Sequence, residues 1–155
     1  GCGTGASAAE LAVWVKGVEA IDREEAMLDA ARRRLSAHDN VRFHQADLLA
    51  IPLEDASVDA ALISLVLHHI ESPLDIIRES LRIVRPGGPV LIIDMVEHQR
   101  EAYRDTMGHV HLGFSDEDVR GWAKACGCQT AGVQRLRSDA ESTGPALFVA
   151  RLSSS

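Results

Sequence analysis

The sequence has few cysteines, no long apolar run and fewer basic than acidic residues. Three cysteines in 155 residues are an odd number in a chain large enough to bury a core, which disfavours a disulfide framework. No apolar stretch approaches the roughly 20 residues that span a bilayer, and no charged-then-apolar signal region opens the chain. The 16 Lys and Arg against 23 Asp and Glu give a net charge of −7, which disfavours nucleic-acid binding through phosphate neutralisation. We therefore expect a soluble, cytoplasmic protein with no membrane contact and no direct nucleic-acid partner.

The residues that are present fit one globular domain over residues 1–155. A content of 46% hydrophobic and 25% charged residues is enough to bury a single core, and no internal repeat is visible. Helical and strand patterns alternate, which predicts an α/β fold with a largely parallel sheet. The predicted helices cover residues 7–16, 23–35, 73–84 and 115–127. The predicted strands cover residues 17–21, 41–44, 58–63, 90–94, 130–136 and 146–152.

The third predicted helix has the clearest signals at both ends. Ser72 is a good N-cap, Pro73 suits the first helical position, and the Pro-Gly-Gly at 86–88 stops the helix. Its apolar stripe is predicted to comprise Leu74, Ile77, Leu81 and Val84. The strand at 90–94, which follows the stop, is apolar enough to be buried on both faces.

The carboxyl-terminal part is predicted to end in an antiparallel hairpin. Before it, Ser115 and Asp118 predict a capped helix, and Phe114 and Val119 are placed as a hydrophobic staple. The polar segment at 137–145 is too short for a crossover helix, so the last two strands are expected to pair antiparallel.

The chain opens on a glycine loop, Gly1-Cys2-Gly3-Thr4-Gly5, of the kind that lets a backbone approach a nucleotide cofactor. Such a loop normally follows a buried strand. We therefore expect this chain to be the larger part of a cofactor-binding domain whose first strand precedes Gly1. Asp22, 17 positions after Gly5, has the spacing of an acid that binds a ribose, although Ala6 leaves the dinucleotide fingerprint incomplete. Alternatively, and compatibly, Asp22 is a helix N-cap with Glu25 completing a capping box.

An ordered series of motifs resembles the class I S-adenosylmethionine-dependent methyltransferases. The series comprises Gly1-Cys2-Gly3-Thr4-Gly5, Ile21-Asp22, Met27-Leu28, Phe43-His44-Gln45-Ala46-Asp47-Leu48, Ile51-Pro52-Leu53, Asp59, Leu67-His68-His69 and Arg85-Pro86-Gly87-Gly88. The resemblance implies a Rossmann-like, doubly wound, mostly parallel sheet with a C-terminal hairpin, which favours methyl transfer over hydride transfer. The sequence also resembles the subgroup related to quinone-biosynthesis methyltransferases. The stretch 107–115 also resembles bacterial proteins in which such a domain follows a winged-helix repressor of the arsenic-sensor type.

The resemblance implies a site for S-adenosylmethionine, with S-adenosylhomocysteine as the product. In the family, the glycine loop passes the methionine part of the cofactor, the acid matching Asp22 holds the ribose, and the acid matching Asp47 meets the adenine. Met27 would cover the adenine ring. The cofactor-binding set implied is Gly1, Gly3, Gly5, Asp22, Arg23, Met27, Asp47, Leu48 and Leu65. The alternative for Asp47 is a surface turn acid after a strand.

The acceptor side of the site is less defined. Methyl transfer from a sulfonium depends mainly on placing the acceptor, and a base is needed only if the acceptor must lose a proton. The candidate residues on this side are His69, Tyr103, His109 and His111. For His68 and His69 the alternative is that one packs while the other caps or bonds locally.

No metal site is predicted from the sequence. The pairs His109 and His111, and Cys126 and Cys128, match no standard zinc framework. Packing is the expected role of Cys126 and of Cys2.

Two functions follow from these observations. The first is a methyltransferase acting on a small molecule. The second is a non-catalytic S-adenosylmethionine-sensing module of a transcription regulator, which a winged-helix segment upstream of Gly1 would support.

Overall fold

A computed structural model describes residues 1–137 and 143–154. The helices are α1 (Ala6–Ala12), α2 (Glu25–Arg34), α3 (Pro73–Ile83), α4 (Ala102–Met107) and α5 (Asp116–Ala125), with a 3₁₀ turn at Leu67–His69. The strands are β1 (Val18–Asp22), β2 (Val41–Gln45), β3 (Ala61–Ser64), β4 (Pro89–Met95), β5 (Gln129–Arg135) and β6 (Leu147–Ser153). The predicted α/β fold is therefore confirmed, although the sequence did not reveal α4 or the 3₁₀ turn. Within the described ranges, every helix is too short or too polar to cross a bilayer.

The chain forms two compact units, residues 1–52 and 53–155. In the first unit β1 and β2 pair in parallel, from Val18 opposite Val41 to Asp22 opposite Gln45. A buried cluster joins α1 to α2 and to the residue after α2: Ala8, Ala12, Ala31 and Leu35. Because the strands are parallel, the residues that follow Asp22 and Gln45 leave the sheet at the same edge.

The second unit contains a four-stranded sheet in the order β3-β4-β6-β5. Strands β3 and β4 are parallel, whereas β6 runs antiparallel to both β4 and β5. The predicted antiparallel pairing of the last two strands is confirmed. The segment predicted to connect them includes residues 138–142, which lie outside the described residues.

Several predicted boundaries and burial patterns are wrong. Helix α1 ends at Ala12 rather than near residue 16. Strand β3 begins at Ala61 rather than at Val58, which instead forms an isolated parallel bridge with Val84. In β4 burial alternates, because successive side chains point to opposite faces of a strand, and Leu91 and Ile93 are only half-buried.

The buried face of α3 also differs from the predicted stripe. Leu74 and Leu81 are half-buried, although Ile77 and Val84 are buried as expected. The buried residues within the helix are Pro73, Ile76, Ile77, Ser80 and Ile83. The apolar residues of this helix are numerous enough to offer two overlapping faces, and packing in the folded unit selects the one that is buried.

Helix α5 begins as the sequence predicts. The Ser115 hydroxyl accepts a hydrogen bond from the Asp118 backbone N–H at 3.2 Å, and the Asp118 carboxylate accepts one from the Ser115 N–H at 2.8 Å. Phe114 and Val119, the predicted staple, are both buried. The helix stops before Gly127, which has a φ of +64°.

Candidate functional site

The glycine loop of the first unit is tied to the end of β1 through Asp22. The Cys2 N–H donates to the Ile21 carbonyl at 2.7 Å, and the Gly3 N–H donates to Asp22 Oδ2 at 2.8 Å. Asp22 is 7% exposed, and its Oδ1 accepts from the Glu24 N–H at 3.1 Å. The carboxylate is thus held in place by backbone donors on both sides, while its remaining lone pairs stay able to accept hydrogen bonds.

The capping box predicted from Asp22 and Glu25 is not formed. The N-cap position of α2 is Glu24, whose side chain makes no capping bond, and Glu25 is the first residue of the helix. Asp22 reaches the N–H of Glu24, two residues on, so it closes the turn before the helix instead of capping it.

Gly3 and Gly5 both have left-handed backbone conformations, with φ of +53° and +79°. They differ in their surroundings. A Cβ on Gly5 would lie 2.9 Å from Leu35 Cδ1 and 3.0 Å from Ala31 Cβ, whereas a Cβ on Gly3 would meet no atom of the described residues within 4 Å. Gly5 therefore lets α1 and the loop pack against α2, and Gly3 leaves a bare backbone beside open space.

The remaining cofactor-site candidates of the first unit lie at or near its strand edge. Asp47 follows β2, is exposed, and accepts a hydrogen bond from the Leu49 N–H at 2.8 Å. This is the turn geometry of the alternative interpretation. Arg23 forms an exposed ion pair with Glu24. Of the others, Gly1 donates from its amino group to Ile21, Met27 is exposed, and Leu48 is half-buried.

Leu65, the last candidate, lies in the second unit. It directly follows β3, has a φ of +55°, and its N–H donates to the Ile93 carbonyl at 2.8 Å. A left-handed conformation is costly for a branched side chain, so the backbone at this position is held by its surroundings.

The second unit contains a buried histidine–aspartate pair. His68 Nδ1 lies 2.7 Å from Asp94 Oδ1, and both side chains are buried. Asp94 also accepts hydrogen bonds from the backbone N–H groups of Leu67 at 3.0 Å and Met95 at 2.8 Å. Because an ionised carboxylate only accepts hydrogen bonds, Nδ1 of His68 is the donor in this pair. The sequence did not indicate a role for Asp94.

The rings of His68, His69 and Tyr103 lie around that of His109. The ring of His109 has its centroid 4.4 Å from that of His68, 5.1 Å from His69 and 5.2 Å from Tyr103. His69 is exposed, and its Nδ1 donates to the Gly108 carbonyl oxygen at 3.3 Å. The alternative that one of His68 and His69 packs while the other caps or bonds locally is met only in part: His68 is buried but pairs with Asp94, and the partner of His69 is 39 residues away in the sequence. His111 takes a different contact, from Nε2 to the Ile70 carbonyl oxygen at 3.0 Å.

Burial sets the protonation of two nearby imidazoles and of the three thiols. Burial, followed by the neighbouring His68 and His69, lowers the pKa of His109, and burial with Arg100 lowers the pKa of His98. Both rings are therefore held towards the neutral form. Burial raises the pKa of all three free cysteine thiols, Cys2, Cys126 and Cys128, which fits packing roles.

Comparison with known families and curated proteins gives consistent matches. Residues 1–92 match the family described as "Methyltransferase domain". Demethylmenaquinone methyltransferase of Clavibacter sepedonicus is 41% identical over 92 residues, covering 59% of this chain and 38% of that protein. The 27-O-demethylrifamycin SV methyltransferase of Amycolatopsis mediterranei is 30% identical over 100 residues, covering 62% and 37%. The chain thus spans well under half the length of these relatives.

Solved structures confirm the fold. The crystal structure of an S-adenosylmethionine-dependent methyltransferase from Aquifex aeolicus superimposes with a TM-score of 0.79 at 24% identity, over 98% of this chain and 78% of that one. At this identity the match establishes the Rossmann-like architecture and not the reaction.

Proposed function

This chain belongs to the methyltransferase domain family, whose cofactor is S-adenosylmethionine, and from this premise we propose that the protein methylates a small-molecule acceptor. Both curated relatives reported above are named for small-molecule acceptors. The net charge of −7 is unfavourable for a nucleic-acid substrate. That residues 1–155 form one S-adenosylmethionine-binding domain is part of this proposal.

The observation that carries the proposal is the cradle formed by Gly3 and Asp22. The residues present fit the cofactor: a buried carboxylate, anchored by two backbone N–H groups, retains lone pairs for ribose hydroxyls. Beside it, the bare backbone of Gly3 faces open space, so a ligand can come closer than it could to any side chain. Both lie at the carboxyl edge of parallel strands, where ligands of open α/β sheets bind.

The other cofactor contacts are assigned by position. Asp47 is an exposed acid whose carboxylate would accept from the adenine amino group, and Met27 has an exposed side chain able to cover a ring. The Leu48 backbone would complete the adenine contacts. Gly1, Gly5 and Arg23 belong to the same part of the first unit.

When bound, S-adenosylmethionine supplies a methyl group activated on a sulfonium, so the protein needs to place the acceptor and exclude water. On the acceptor side, His69 and Tyr103 border the buried ring of His109. A base is required only for an acceptor that must lose a proton. The names of the relatives favour this enzymatic function over the sensing module of a transcription regulator.

The proposal is tested by calorimetric titration of the purified protein with S-adenosylhomocysteine. The Asp22→Ala variant removes the carboxylate of the cradle, and Asp47→Ala removes an exposed carboxylate, so we expect the second variant to fold. Hydrogen bonds to charged groups contribute about 1.5–3 kcal/mol, so we expect each variant to weaken binding by about ten- to hundredfold. Asp39→Ala, which removes another exposed acid of the same unit, is the matched control and should bind as the parent does.

Saturable binding by the parent that is weakened in both site variants but not in the control would support the cofactor site. It would also justify a screen of acceptors. Absence of binding by a parent protein shown to be folded by circular dichroism would contradict the proposal.

A further inference from the structure

The histidines of the second unit form a cluster with unused ligand atoms. His68, His69 and His109 each offer one ring nitrogen, and these three atoms lie within 4.8 Å of one another. Two of the rings come from the 3₁₀ turn after β3, and the third follows α4. They meet only in the folded unit, since about 40 residues of chain separate the first two from the third.

The hydrogen bonds of this cluster leave lone pairs available to a ligand. Nδ1 of His68 donates to Asp94, and Nδ1 of His69 donates to the Gly108 carbonyl. In each neutral ring the other nitrogen, Nε2, is then the unprotonated one. A histidine that donates one ring N–H to a carboxylate or carbonyl while its other nitrogen binds a metal is the arrangement found in most protein metal sites.

His109 supplies an independent observation. Its side chain is 5% exposed, and within residues 1–137 and 143–154 its buried Nδ1 has no hydrogen-bond partner. Leaving a buried nitrogen without a hydrogen-bond partner is unfavourable, so a native structure seldom keeps one without a reason. Coordination of a cation would satisfy this nitrogen.

We propose that His68, His69 and His109 bind a divalent zinc-type transition-metal ion, with Asp94 as the positioning residue behind His68. Imidazole nitrogens suit zinc, cobalt, nickel and copper ions, whereas magnesium and calcium ions prefer oxygen ligands. Three protein ligands leave one tetrahedral position open, as in zinc sites that also hold a water molecule or a substrate.

The geometry requires only a small closure of the cluster. Ligand nitrogens around a tetrahedral zinc ion lie about 3.4 Å apart, which follows from Zn–N bonds of about 2.0–2.1 Å. The buried pair of His68 and Asp94 is fixed by its hydrogen bonds, whereas the exposed side chain of His69 can turn towards the other two rings. The inference concerns metal binding alone and does not depend on the proposed methyl transfer.

The test is titration of the metal-free purified protein with Zn²⁺ by calorimetry, and with Co²⁺ by visible absorption, which reports the ligand geometry. Two variants remove single ligands: His69→Ala, at an exposed position where the fold should be retained, and His109→Ala. The matched control is His38→Gln, which removes a histidine of the first unit. A Cys126→Ser/Cys128→Ser double variant tests the thiols as an alternative binding site.

We expect one equivalent of either ion to bind the parent. Loss of a supporting residue around a metal typically costs 10- to 100-fold in affinity, so loss of a ligand should weaken binding by at least about tenfold. The control and the cysteine variant should match the parent. No binding by the parent, equal binding by folded His69→Ala, or loss of binding only in the cysteine variant would each overturn the proposal.

Discussion

Gly3 and Gly5 carry the same backbone signature for different reasons. Both have positive φ, but only Gly5 is in contact with a neighbouring helix through Leu35 and Ala31. In the sequence the two are equivalent members of one loop. The structure separates a glycine needed for packing from a glycine that keeps a binding surface open.

Alanine substitutions at the two glycines should therefore separate stability from binding. A non-glycine residue in the left-handed region costs about 1–2 kcal/mol, so Gly3→Ala should lower the free energy of unfolding by about that amount. Gly5→Ala adds an overlap with the Leu35 side chain. Overpacking of this kind should lower the free energy of unfolding by a further amount of about 1–3 kcal/mol. Urea denaturation measures the free energy of unfolding of each variant. Equal midpoints for Gly3→Ala and Gly5→Ala would contradict a packing role for Gly5 alone.

The affinity of Gly3→Ala for S-adenosylhomocysteine tests the role of Gly3 in binding. The added methyl group of Gly3→Ala lies towards the space assigned to the cofactor, so binding should weaken in this variant even under conditions where it is fully folded.

At the scale of the element, two helices with similar start signals are stabilised differently. Ser115 precedes α5 and forms a complete capping box with Asp118. Ser72 precedes α3 in the N-cap position, yet in the described structure its side chain makes no capping hydrogen bond. The sequence predicts both serines as caps, because residue type and spacing are local. Whether the hydroxyl turns inwards depends on the backbone conformation that the preceding loop imposes.

The two serines provide a matched pair of substitutions. Ser115→Ala removes a hydrogen bond to an otherwise unpaired backbone N–H, so it should lower the free energy of unfolding by about 1 kcal/mol. Ser72→Ala should change it much less. Thermal denaturation followed by circular dichroism measures both, and a larger loss in Ser72→Ala would show that its hydroxyl caps α3 in solution.

For the whole molecule, folding buries all three thiols at least in part. Cys2 lies in the first unit and Cys126 and Cys128 in the second, and burial is the largest cause of the raised pKa at each. Thiolate is the reactive form of cysteine. A raised pKa means that, at a given pH, each native thiol has less thiolate than free cysteine, whose pKa is about 8.5.

Alkylation by iodoacetamide should thus be slower in the native protein than in urea, where the burial is lost. In the native state the rate should rise at a higher pH than it does for free cysteine. Mass spectrometry of protein quenched over time measures the extent of labelling, with free cysteine in the same buffers as the control. A native thiol that reacts at pH 7 as fast as free cysteine would contradict this expectation.

The amino-acid sequence by itself determined the order of the six strands and of the helices α1, α2, α3 and α5, the glycine loop with Asp22 behind it, the capped start of α5 and the antiparallel pairing of the last two strands. These features depend on residue types a few positions apart, so local backbone preferences and periodicity are enough to predict them. The boundaries of α1 and β3 and the buried face of α3 were set by packing, which can choose among overlapping apolar faces.

Only the tertiary structure decided the candidate site of the second unit. Asp94 ends a strand that reads as wholly apolar before it, and His109 is distant in sequence from His68 and His69. Their meeting depends on the parallel pairing of β3 with β4, which brings the end of one strand beside the end of the next. No local sequence pattern encodes that proximity, because His68 and Asp94 are 26 positions apart in the sequence and His109 follows His68 by about 40.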